Sequence, residues 1–110
     1  MNPSLKALHD TLLAQHDALA QKLDDATTQA DAQAILMEMQ EILHRVDLVQ
    51  NLLLRSTADS LTQAVAAVTK ADATLTSQLQ GVANMAALVN GVTQFLGVVD
   101  EAIAVAKLLP

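Results

Sequence analysis

Cysteine, tryptophan and tyrosine are absent from this 110-residue chain, and Phe95 is its single aromatic residue. Without cysteine there is no disulfide, thiolate zinc site, iron-sulfur cluster or cysteine nucleophile. Basic residues are few: six Lys and Arg, scattered as Lys6, Lys22, Arg45, Arg55, Lys70 and Lys107, stand against twelve Asp and Glu, for a formal charge of -6. Phosphate binding needs a basic patch and base stacking needs aromatic rings, so nucleic acid is not an expected partner. Glycine and proline are missing from Ser4 to Gln80, and charge is missing from Ala73 to Val99. The first absence leaves helix ends to be set by capping residues; the second marks a segment made for an apolar environment.

What is present is aliphatic. The chain is 52% hydrophobic, and Ala and Leu together fill 39 positions. This excess of aliphatic over aromatic side chains suits close-packed helices better than a β-sandwich, which leans on β-branched and aromatic residues. The length fits one domain, covering 1–110, able to bury about two thirds of its unfolded surface without covalent staples.

Helical spacing is plain in the first half. Leu5, Leu8, Leu12, Leu19 and Leu23 fall on one stripe interrupted by Gln15, with Ser4 as the expected cap and Asp24-Asp25 as the expected stop. Thr28 and Asp31 form a capping pattern for a second helix, whose stripe Ile35, Met39, Ile42, Val46, Val49 and Leu53 alternates spacings of four and three. Leu36, Leu43 and Leu52 widen that stripe. Its register fails at Ser56 and Ser60, and Ser56-Thr57-Ala58-Asp59 reads as the start of a third helix. The third stripe is Leu61, Val65, Val68, Leu75, Leu79 and Val82, with Asp72 at a seam position that should be apolar. The expected helices are therefore about 4–24, 29–55, 57–80 and 82–108. The fold class is all-α: an antiparallel bundle of three to four helices, or a helical hairpin with coiled-coil-like packing, completed by homo-oligomerisation.

Polar residues on apolar stripes carry two readings each. Burying an unpaired carboxylate costs several kcal/mol, so either the helix bends to let Asp72 reach water or a polar partner satisfies it and sets the register. Asn84 and Asn90 either hydrogen-bond across an interface or line a wet face.

Catalytic chemistry has little support. His9 and His16 are two turns apart, about 10 Å along a helix, too far to grip one ion together. His44 falls on a solvated face beside Arg45. Glu38 and Glu41 share a face, but no Glu-x-x-His accompanies them, and Asp24-Asp25 and Asp100-Glu101 read as solvated acids. No phosphate-binding glycine loop, nucleophile elbow or His-Glu-x-x-His helix occurs. No enzyme activity, metal or cofactor is expected.

The expected function is that of a non-enzymatic interaction module, an adaptor, secretion-chaperone-like or immunity-like binder. Its expected interface is the apolar last helix: Met85, Leu88, Val89, Val92, Phe95, Leu96, Val99 and Ile103. The partner is itself, as a homodimer, or another protein. The Ala-rich third segment offers little bulk to cover that last helix, which favours a second copy. The alternative is membrane association through 82–109, where Ala83, Ala87 and Gly91 repeat at four-residue spacing; polar residues in the run and the lack of an aromatic belt stand against it. The start of the chain lacks a basic stretch followed by an apolar core, so the cytoplasm is the expected location, with signal-less export leaving no trace.

Overall fold

Four helices of almost equal length form from these stripes. The computed structural model describes residues 1–81 and 84–110, and contains α1 (Pro3–Asp24), α2 (Gln29–Gln50), α3 (Asp59–Gln80) and α4 (Met85–Lys107), with no strand among the described residues. Val82, expected on the third stripe and at the start of the fourth helix, and Ala83, expected in the small-residue repeat, lie outside the described residues.

Capping chemistry sets the boundaries, though not always through the expected residue. Asn2, not Ser4, caps α1: its Oδ1 accepts from the Ser4 and Leu5 amides at 3.0 and 3.2 Å, and Pro3 takes the first helical position, where a missing N–H costs nothing. Thr28 caps α2 as its spacing predicts, with Oγ1 accepting from the Asp31 amide at 3.1 Å. The α2 helix ends at Gln50 instead of 55, and the chain tightens through turns in which Leu52 donates to Val49 and Arg55 to Leu52. Ser56 does not cap α3. Its amide donates to the Pro110 carbonyl and its carbonyl accepts from Asn2, so Ala58 becomes the cap position, without a side-chain hydrogen bond. Asn84 is exposed and caps α4, accepting from the Ala87 amide at 2.8 Å. Asn90 is exposed, on the wet face.

Each helix packs on two neighbours. α1 lies along α2 and α3 along α4, while α1 also flanks α3 and α2 flanks α4. Asn2 donates to Leu53 and Ser56 to Pro110, so the starts of α1 and α3 and the finishes of α2 and α4 share one end. The connection from α2 to α3 therefore crosses the diagonal of that end. The molecule measures 46 × 22 × 16 Å.

The core runs the full length. Leu5, Leu8, Leu12 and Leu19 of α1 meet Ile35, Ile42 and Val49 of α2, Leu61, Val68 and Leu75 of α3, and Val92, Phe95 and Val99 of α4, all essentially sealed from solvent. Truncating one of these leucines to alanine leaves a cavity worth about 2–5 kcal/mol. α3 has small side chains, yet α4 closes on it because Gly91 faces it: a Cβ there would stand 2.8 Å from Gln78 Oε1 and 3.4 Å from Leu75 Cδ1.

Candidate functional site

The eight α4 residues expected to form the partner surface are held inside the chain's own bundle. Leu88, Val92, Phe95, Leu96, Val99 and Ile103 are buried, and Met85 and Val89 are half-buried. α2 and α3 cover the apolar excess of α4 from two sides. What α4 presents outward is small or polar: Ala86, Asn90, Thr93, Gln94, Gly97 and Ala104. By length and composition α4 is long and apolar enough to cross a membrane, with 44% of the relevant window buried in the fold.

Exposed bulk lies elsewhere. Leu36 and Leu43, one heptad apart on α2, are 43% and 41% exposed, and Leu13 on α1 is 37% exposed. Their placement follows from register. His9 Nε2 lies 3.3 Å from Gln50 Nε2 across the α1–α2 groove; Leu13 is one turn from His9, and Leu36, Leu43 and Gln50 repeat every seven residues. All three leucines thus sit on the outer face of the α1–α2 pair. The half-buried His16 and Met39 belong to the same flank. Of the three leucines that widen the α2 stripe in the sequence, Leu52 is buried while Leu36 and Leu43 are surface.

On the opposite side of α2 a groove opens against α4, lined by Met37, Glu38, Glu41, Arg45, Gly97 and Asp100 among others. The Arg45 side chain is largely covered and grips two carboxylates. Its Nε and Nη2 donate to Asp100 at 2.8 and 3.0 Å, and Nη1 donates to Glu41 Oε2 at 2.8 Å. The hydrogen bonds to Asp100, and then to Glu41, raise the Arg45 pKa against the opposing effect of burial. Glu38 beside them is pushed above the usual glutamate range, by burial first and by the Glu41 charge second.

A third polar group sits between α1 and α3. Gln15 is 2% exposed, and its Nε2 donates to Asp72 Oδ1 at 2.6 Å and to Thr76 Oγ1 at 3.0 Å. Gln15 Oε1 has no partner. Asp72 is half-buried, so it both approaches the surface and has a polar partner.

His16 approaches only its neighbour Asp17, His9 reaches Asp10 and Gln50, and His44 is exposed. Among the described residues no three histidine or carboxylate side chains converge as a metal site requires. Among the described residues the arrangement offers exposed apolar side chains on α1 and α2, a clamped ion pair and a buried amide. Compared with known proteins, the chain matches no family model, no curated protein and no solved structure.

Proposed function

We propose that this chain is a non-enzymatic helical interaction module, an adaptor or chaperone-like or immunity-like binder, whose working surface is the outer flank of α1 and α2 and whose first partner is a second copy. One observation carries the reading: Leu13, Leu36 and Leu43 stand exposed along the same outer flank of α1 and α2. Size supports a second copy. A long side of the 46 × 22 × 16 Å body offers roughly 700–1,000 Å², close to the about 800 Å² that a stable interface takes from each partner. In this reading α4 is the internal scaffold that holds the flank rigid, and its expected contact residues act by packing, not by touching the partner. A spanning role for α4 would require withdrawing Leu88, Val92, Phe95, Val99 and Ile103 from the core, at a cost of several large buried side chains.

The test is the molar mass of the purified protein by light scattering in buffer without detergent. A discrete soluble dimer with high helicity supports the reading. Material that stays in solution only with detergent contradicts it.

A further inference from the structure

The exposed leucines of the α1–α2 flank surround a histidine. The contact between His9 and Gln50 sets the register of the two antiparallel helices and brings His16 level with Leu43. Leu13 lies one turn before His16 on α1, and Leu36 lies two turns beyond Leu43 on α2, so the three leucines are centred on this imidazole. The His16 side chain is 22% exposed; its Nδ1 stands 3.6 Å from Asp17 Oδ1, and its Nε2 has no hydrogen-bond partner among the described residues. His9, nearer the edge of the flank, is engaged at both nitrogens, with Nδ1 3.2 Å from Asp10 Oδ1 and Nε2 3.3 Å from Gln50 Nε2. His44 is one heptad from Met37, which lines the groove against α4, and so faces the other side of α2.

Few charges face His16. On α1 they are Asp17, which is 82% exposed, and the more distant pair Lys6 and Asp10. On α2 the ionisable neighbours of Leu43 are His44, turned away, and the exposed Asp47 one turn on. α3 meets α1 at Gln15, through Asp72, on a different face. A carboxylate as solvated as Asp17 holds an imidazolium only weakly, whereas covering a half-buried imidazole with leucines disfavours its charged form. In a twofold contact, moreover, the residue at the centre of the patch meets its own copy, so two charged imidazoles would face each other.

We infer, resting on the reading of this flank as the dimer interface, that His16 gates the contact by pH: neutral imidazoles from two copies share the centre of the interface, and protonation below about pH 6.5 drives the copies apart. Net charge acts with the opposite sign. Acid reduces the -6 charge of each chain, which by itself draws two copies together, so weakening in acid identifies the imidazole.

Sedimentation equilibrium at about pH 7.5 and about pH 5.5, one unit either side of the ordinary imidazole value, tests the gate on the wild-type chain, His16→Gln and His9→Gln. Circular dichroism is unchanged between the two pH values. The wild-type dimer weakens about tenfold to fiftyfold in acid, because an imidazole shifted by about one unit on covering acts once in each copy. His16→Gln, uncharged at both values, dimerises equally at both, and His9→Gln keeps the wild-type loss. A wild-type dimer equally tight at both pH values, or a His16→Gln dimer that still weakens in acid, overturns the gate and leaves the flank interface standing. Loss of helicity at the lower pH overturns the gate too, since dissociation would then follow from unfolding. A wild-type chain that is monomeric at both values overturns the flank interface and the gate with it.

Discussion

Gln15 on α1 and Asp72 on α3 are joined by a 2.6 Å hydrogen bond, and each occupies the position where the apolar stripe of its own helix is interrupted. The two interruptions are one device: they fix how far α1 slides along α3, because a shift of one turn in either helix would strand both polar groups against leucines. Asp72→Leu removes the main acceptor of a buried amide and is expected to cost about 1–3 kcal/mol in thermal or urea unfolding. The double variant Gln15→Leu/Asp72→Leu is expected to recover most of that loss. A double-mutant cycle with coupling below about 0.5 kcal/mol would show that the pair contributes nothing.

Gly97 and Gly91 lie in the same helix and predict opposite responses. A Cβ at Gly97 meets nothing within 4 Å, whereas at Gly91 it meets Gln78 Oε1 at 2.8 Å. Gly97→Ala is expected to stabilise by about 0.5–1 kcal/mol through helix propensity alone. Gly91→Ala gains the same propensity but must displace Gln78, so its net effect is smaller or unfavourable. Equal stabilisation by both would show that the α3–α4 approach does not depend on Gly91.

Glu38 predicts a pH dependence. Burial and the Glu41 charge raise its folded pKa above the unfolded value, so its contribution favours folding below the usual glutamate range and is lost as pH rises through the raised value. Glu38→Gln is therefore expected to raise the melting temperature slightly at neutral pH and to make no difference in acid. A lower melting temperature at neutral pH would mean that the ionised Glu38 has a stabilising partner.

Leu88 is 2% exposed in the core, while Leu36 is 43% exposed on the flank. Leu88→Asp is expected to abolish cooperative unfolding, and Leu36→Asp to change the melting temperature by no more than about 0.5 kcal/mol equivalent for the monomer. Circular dichroism melts of the two variants check this directly; unchanged melting of Leu88→Asp would remove α4 from the core.

Local features were legible in the sequence because they depend on neighbours a few residues away. The stripes through Leu5–Leu19, Ile35–Val49 and Leu61–Leu79 and the Thr28 cap all follow from spacing of three, four or seven. The Asn2 cap was available in the Asn-Pro pair, since proline favours the first helical position, but Ser4 is an equally good cap residue and obscured it. Long-range relationships were not legible. Gln15 and Asp72 are 57 residues apart, and nothing short of the diagonal α2–α3 crossing places α1 beside α3. The same holds for Ser56, whose capping pattern is locally sound yet yields to Asn2 and Pro110 brought in from the two ends of the chain. α4 shows the limit most clearly. Apolar residues nearly all round identify an element that must be covered, but not whether its own chain or a second one covers it.

Sedimentation equilibrium of the wild-type chain and of Leu36→Asp/Leu43→Asp, in buffer without detergent, tests the central claim that the α1–α2 flank is the interaction surface. The account predicts a reversible wild-type dimer and a variant that is monomeric with unchanged helicity. A wild-type chain that stays monomeric at every concentration, or a variant that dimerises as the wild type does, would contradict it.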